Sequence, residues 1–157
     1  MILNTRVDHR LLHGQVAFSW TTQLGADCIL IANDDVMQNP TRKSVIKLAK
    51  PAGVKLVIKS IEGAIEAINS GVTDKYRLFV VVESIGDAHA LATSCDRIKA
   101  INLGGTKPRD NTRNIAKAIY VTPEEEDQLR DLFDRGVEVE IRMVPVDPSV
   151  DARTVLQ

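Results

Sequence analysis

Short apolar runs alternate with longer amphipathic stretches along almost the whole chain. The first run, Met1-Ile2-Leu3-Asn4-Thr5-Arg6-Val7, is partly β-branched and suits a buried strand. Val16, Phe18, Trp20 and Leu24 follow in a helix-like pattern, and Gly25 suits the left-handed residue that ends a helix over Gly14–Leu24. Cys28–Ala32 is apolar throughout, as expected of a parallel strand covered on both faces, and runs into Asn33-Asp34-Asp35, read as a polar loop. Asn39-Pro40 marks the cap and first residue of a helix that turns Val45, Ile46 and Ala49 inward and stops at Pro51-Ala52-Gly53. Val54–Ile58, with Lys55 and Lys59, reads as a strand near an edge. Ser60 caps a helix carrying Ile61, Ala64, Ile65 and Ile68 on one face as far as Gly71. Leu78–Val82 is the strongest strand signal and belongs at the centre, followed by a helix across Asp87–Ser94.

Ile98–Leu103 is a fifth strand broken by Gly104-Gly105, Thr106–Asn114 a polar loop, and Ala116–Val121 a sixth strand. Thr122-Pro123-Glu124-Glu125 is a capping box with proline at the first helical position, opening a helix to about Arg135 with Leu129, Leu132 and Phe133 inward. Val137–Val144 alternates like a half-buried strand at a sheet edge. Pro145 and Pro148 close the ordered fold near residue 148, leaving Asp151–Gln157 as a tail with at most a short helix. The pattern predicts an α/β protein: a doubly wound, mostly parallel sheet of about seven strands with helices on both faces, its last strand at an edge and free to run antiparallel. Strand carboxyl ends then gather on one edge, where such sheets bind their ligands. Four polar loops share that edge: Asp8–Gly14, Asn33–Asp35, Glu83–Ser84 and Asn102–Lys107.

At 157 residues the chain is expected to form a single domain over 1–157. Twenty basic and 21 acidic residues leave a net charge of −1, so nothing draws it strongly to nucleic acid or anionic lipid. Aromatic residues make up 4%, few for stacking on single-stranded bases. The start has no leader pattern and no run approaches the roughly 20 apolar residues of a membrane span, so direct membrane insertion is not expected. Cys28 and Cys95 are isolated thiols, which favours a reducing, cytosolic setting.

The chemistry concentrates in Arg6-Val7-Asp8-His9-Arg10-Leu11-Leu12-His13-Gly14-Gln15-Val16. A lone histidine is more often a surface or capping residue than a catalyst. His13 differs by its place at a strand-to-helix junction, with Arg10 three residues before and Gly14 directly after. Backbone N–H groups at such a junction receive anions. A nearby guanidinium disfavours the imidazolium and then neutralises phosphoryl oxygens, and glycine lets its own N–H approach them. Asp8 orients Arg10 or the imidazole, or is an ordinary strand-end acid; both readings stand. Asn33 and Asp34 either shape the pocket rim or stabilise their own turn. Gly104-Gly105 is either a tight turn or, by its place beside the histidine loop, part of the anion-binding surface. His9 and His13 are four apart, but in a loop and without a third ligand, so no metal is expected. Histidine phosphatases join an arginine directly to the catalytic histidine, where Leu12 stands here. No dinucleotide motif or P-loop is present, and no cofactor is expected. His89 has no evident role.

Arg6-x-Asp8-x-Arg10-Leu11-x-His13-Gly14-Gln15-Val16, followed by Trp20, resembles the phosphorylation-site loop of the IIB subunits of the mannose/fructose/sorbose class of the bacterial phosphoenolpyruvate-dependent sugar phosphotransferase system. Asn33-Asp34-Asp35, Asn102-Leu103-Gly104-Gly105, the helix from Thr122 and Arg135–Arg142 are similar to later segments of that family, so the resemblance runs from Arg6 to about Pro148. It implies that His13 takes a phosphoryl group from a IIA subunit and passes it to a sugar carried by membrane IIC and IID subunits, at the cytoplasmic face. It also implies a pocket drawing on Arg6, Asp8, Arg10, Gly14, Gln15, Asn33, Asp34, Asn102, Gly104 and Gly105. Lys107 and Arg109 are then expected on a basic docking rim. The alternative is a non-catalytic α/β module that senses a phosphorylated metabolite through the same loop.

Overall fold

The computed structural model describes residues 1–156, and of Gln15 the backbone only. Its strands are β1 (Ile2–Asp8), β2 (Cys28–Ala32), β3 (Lys55–Lys59), β4 (Leu78–Val82), β5 (Ala100–Gly105), β6 (Arg113–Ala116), β7 (Ile119–Val121), β8 (Glu138–Ile141) and β9 (Val150–Asp151). Its helices are α1 (Gly14–Leu24), α2 (Asp34–Gln38), α3 (Pro40–Leu48), α4 (Ile61–Ser70), α5 (Ile85–Ser94) and α6 (Pro123–Asp134). Seven strands form one sheet in the order β3-β2-β4-β1-β5-β8-β9, parallel throughout except β9.

Right-handed crossovers decide which face each helix covers. Connections running toward β3 put α1, α2 and α3 on one face; those running back put α4, α5 and α6 on the other. The core divides accordingly. Trp20, Val36 and Ile46 pack on Ile29, Ile31, Phe79 and Val81 on the first face, while Ile68, Leu91 and Leu129 pack on Val7, Val80 and Leu103 on the second. β1 lies where the chain changes direction. Its neighbours β4 and β5 lead to the second face, while β1 itself leads to α1 on the first.

Local signals set the helix ends. Ser60, Ser84 and Thr122 each accept from a backbone N–H three residues on, and Thr122 and Glu125 close the full capping box. Gly25 ends α1 in the left-handed conformation at φ 67.

Five expectations need correction. Ala116–Val121 is not one strand of the main sheet but part of the antiparallel β6–β7 hairpin, which turns at Ala118 with φ 63. Asn33-Asp34-Asp35 is not a loop, because Asn33 caps the short α2 through Val36 N–H. β5 does not break at the glycines but runs through them to Gly105. The strand expected over Val137–Val144 is the shorter β8, which pairs parallel with β5 inside the sheet, while the antiparallel last strand expected at the edge is β9. The chain after Pro148 is not a tail: β9 pairs antiparallel on β8, and the 3₁₀ turn Ala152–Val155 buries Ala152 and Leu156 in the core. Two side chains also point outward against the apolar pattern, Val45 and Phe18, each more than half exposed.

Candidate functional site

Residues two apart on a strand share a face, so Asn4, Arg6 and Asp8 of β1 share the face opposite to buried Val7, which is the α1 side. The register sets Arg6 beside Asn102 on β5, and Asn102 beside Glu140 on β8. A polar stripe thus crosses three strands beneath α1. Between Val7↔Leu103 and Asp8↔Gly105 the pairing slips by one, which leaves Gly104 as the extra residue.

Arg6 is buried and held by three hydrogen bonds. Nη1 donates to Asn102 Oδ1 at 2.6 Å and to the Arg142 carbonyl at 3.2 Å, and Nη2 donates to Asp8 Oδ2 at 3.2 Å. Trp20 covers the guanidinium from α1, its ring centre 5.2 Å from Cζ, and its Nε1 donates to the Met143 carbonyl at 2.9 Å. Burial pulls the Arg6 guanidinium below its ordinary pKa, Asp8 opposes that shift, and a guanidinium keeps its charge regardless.

Asp8 is fully buried and gathers the loop around itself. Oδ1 accepts from the Arg10 backbone N–H at 3.0 Å and lies 3.6 Å from Arg10 Nε, while Oδ2 meets Arg6 Nη2 and, at 3.1 Å, His13 Nε2. Burial alone would push this carboxyl up. The Arg10 N–H bond, the His13 bond and the charge on Arg6 together outweigh it and hold the group below the usual carboxylate range.

His13 stands at the cap position of α1 in extended backbone, φ −153 and ψ 139, yet its side chain makes no capping bond. Its imidazole is 24% exposed. The loop before it is pinned by Leu11 and Leu12, both buried in the same cluster as Trp20. Leu11 takes a left-handed conformation, φ 58, at a cost of about 1–3 kcal/mol for such backbone. The first turn of α1 holds no acidic residue, so the positive end of the helix opens beside His13 uncompensated.

Only some of the expected site residues come together. Asp8 and His13 are in direct contact, with Arg10 beside them, its side chain 52% exposed and turned to Asp8. Gly14 is exposed at φ 36 with open space around it; the side chain of Gln15 lies outside the described residues. Arg6, Asn102 and Gly104, expected in the pocket wall, lie instead beneath Asp8, because their polar groups are satisfied inside the sheet–helix layer. Asn33 and Asp34 are tied to backbone: Asn33 caps α2, and Asp34 Oδ1 accepts from Ile61 N–H at 2.9 Å. Gly105 gives its carbonyl to His9 N–H at 2.9 Å. Lys107 has no acidic partner among the described residues, whereas Arg109 is bound to Glu125 at 2.7 Å. Both line a cleft of about 500 Å³ at the carboxyl edge, with His9, Arg42, Glu83 and Thr106. Trp20 and the Arg142 carbonyl complete the cluster; Arg142 was not among the expected site residues, although the alternation Glu138, Glu140, Arg142 puts its side chain on the Arg6 face.

A doubly wound sheet with an imidazole–carboxylate–guanidinium cluster on the loop after its first strand defines a class: three-layer α/β proteins whose polar site sits at the reversal of strand order. The family model described as "PTS system sorbose subfamily IIB component" matches residues 2–157, and the chain belongs to that family. It is a IIB component of the phosphotransferase system and a phosphotransferase by class. A probable phosphotransferase enzyme IIB component of Streptococcus pyogenes is 38% identical over 123 residues, 78% of this chain and 75% of that one. The crystal structure of the IIBSor domain of the sorbose permease from Klebsiella pneumoniae superposes with a TM-score of 0.94 at 29% identity, covering 99% of this chain and 96% of that one. The mannose-specific EIIAB component of Escherichia coli is 28% identical over 145 residues, 92% of this chain and 45% of that one. No helix among the described residues is long and apolar enough to cross a membrane.

Proposed function

We propose that phosphoryl groups enter and leave this IIB component through Nδ1 of His13. The observation that carries the reading is the 3.1 Å contact between His13 Nε2 and buried Asp8. An ionised carboxylate only accepts, so it holds the ring hydrogen on Nε2 and leaves the lone pair on Nδ1. That nitrogen attacks the phosphorus of a phosphohistidine on a IIA subunit, and the donor's P–N bond breaks. In the second step a sugar hydroxyl oxygen attacks the same phosphorus and gives up its proton to solvent, the P–N bond to His13 breaks, and the ring regains its lone pair. Asp8 stabilises the positive charge on the phosphorylated ring. The open N-terminus of α1, the Gly14 N–H and the exposed Arg10 guanidinium offset the charge on the phosphoryl oxygens, which is most of what phosphoryl transfer needs.

The family resemblance and the joining of A and B parts in the name of the mannose-specific relative support a IIA donor. Membrane IIC and IID subunits hold the sugar in this reading, and the whole chain acts as one domain at the cytoplasmic face. Incubation with phosphoenolpyruvate, the general phosphotransferase proteins and a matching IIA is the test. The intact mass should rise by one acid-labile phosphoryl group per chain, and an unchanged mass with active donor would refute the reading.

Docking should depend on Lys107 more than on Arg109. Arg109 is neutralised by Glu125, whose Oε1 also accepts from the Thr122 N–H in the capping box. Lys107→Glu is expected to slow phosphorylation by IIA several-fold at low ionic strength and less at high salt, with the melting temperature unchanged. Arg109→Glu instead sets two carboxylates together and lowers stability first. Transfer rates at two salt concentrations beside thermal melts check both statements.

A further inference from the structure

The proposed mechanism uses Asp8 and His13 but leaves unexplained the buried arginine behind them. A buried charge needs full pairing, and a carboxylate alone would have served to orient an imidazole. Arg6 is held with more constraint than a neutralising charge requires. Asn102, the Arg142 carbonyl and Asp8 take its donors in three directions, and Trp20 lies over its face. On the sheet side the space is left by Gly104: a Cβ there would stand 2.0 Å from Cζ and 2.3 Å from each terminal nitrogen. Gly104 does not take the left-handed backbone conformation, so turn geometry is not what calls for glycine at this position. Its missing side chain is what admits the guanidinium, and the one-residue slip in β1–β5 pairing places it there.

We infer that Arg6, seated in the slot between Trp20 and Gly104, is the positioning residue that aims Asp8 at Nε2 of His13 and so selects which imidazole nitrogen is free to react. Oδ2 of Asp8 has two donors, Arg6 Nη2 and His13 Nε2, at 3.2 and 3.1 Å. Oδ1 is occupied by the Arg10 N–H. With both oxygens assigned, the carboxylate cannot rotate without losing a charged bond, and the imidazole that meets it is held in one tautomer.

The inference rests on the reading of His13 as phosphoryl acceptor, but its first test does not. Nitrogen-15 spectra of the histidine ring should show His13 in the wild-type chain with hydrogen on Nε2 when neutral. A predominant Nδ1–H form would overturn the proposal. Gly104→Ala forces the guanidinium away by at least about 1 Å, a displacement of the size that costs roughly 10²-fold in rate when it misaligns a reacting group. The variant should show a mixture of His13 tautomers and about that loss in phosphorylation rate. Asn102→Ser removes the acceptor of the 2.6 Å bond without a clash, and so serves even if the alanine variant does not fold. It should move the tautomer ratio the same way with a loss of about tenfold, the effect of one charged hydrogen bond. Wild-type tautomer and rate in a folded Asn102→Ser, or in a folded Gly104→Ala, would reduce Arg6 to a packing residue and overturn the inference. If the wild-type chain gains no phosphoryl group, the reading of His13 fails, while the tautomer spectra still judge Arg6.

Discussion

His13→Gln should end covalent phosphorylation while leaving the fold in place. Glutamine offers no ring nitrogen with a lone pair, so the loss should reach the detection limit rather than a fractional rate. Its amide nitrogen can still donate to Asp8, and the histidine it replaces is partly exposed and outside both core clusters. The melting temperature should therefore stay within a few degrees, as for substitutions away from core features. Intact mass after incubation with phosphorylated IIA, beside a thermal melt, gives both readings. Phosphate still found on the variant, at His9 or His89, would move the chemistry elsewhere. His89 is a weak rival on structural grounds: its Nε2 is bound to Asp131 at 2.7 Å, linking α5 to α6 on the opposite face of the sheet.

Asp8→Asn should touch activity and stability together. The amide cannot carry the charge that Arg6 requires in its buried slot, and breaking such a pair costs about 3–5 kcal/mol, or roughly 10 °C in melting temperature for a chain of this size. Asparagine can also present N–H to the imidazole, which favours the wrong tautomer; a loss of roughly 10²–10⁴-fold in transfer is expected. The pH dependence has a definite sign. The Asp8 carboxyl is held below its ordinary value of 3.8 in the folded chain. Its stabilisation is therefore complete above about pH 4 and is lost as pH falls through the lowered value. The stability gap between wild type and Asp8→Asn should be widest near neutrality and narrow in acid. Equal melting temperatures at pH 7 would show that Asp8 does not carry Arg6.

The sequence made the frame and the reactive loop legible for different reasons. Alternating apolar runs and explicit caps, Thr122-Pro123 and Asn39-Pro40 above all, report local physics that the tertiary structure leaves alone. The β6–β7 hairpin escaped because Lys117-Ala118 carries none of the usual turn residues, so the apolar residues on either side read as one strand. Val45 misled because an apolar residue on a short surface helix need not face inward. In the site, His13 could be found from its neighbours in sequence, whereas Arg6, Asn102 and Gly104 entered only through the family resemblance, without the layer they form beneath it. Asn102, Gly104 and Arg142 meet Arg6 only through strand order, and strand order is not written in any local pattern. One clue was available: a glycine inside a strand often marks a close approach, and the pair at 104–105 was read as a break instead.

The partners of Arg6 also set when, during synthesis, the reactive loop can take shape. Arg6 bonds Asn102, 96 residues away, and the carbonyl of Arg142, 136 residues away, while Trp20 reaches Met143 across 123 residues. A chain leaving the ribosome from its N-terminus exposes His13 early, at some 5–20 residues per second, well before these partners exist. Until then Arg6 and Asp8 lack the surroundings that fix them, and the histidine is an ordinary imidazole on a flexible segment. The Arg6 cluster is complete only once the segment after β8 is in place, so the reactive loop depends on residues made more than 120 positions later.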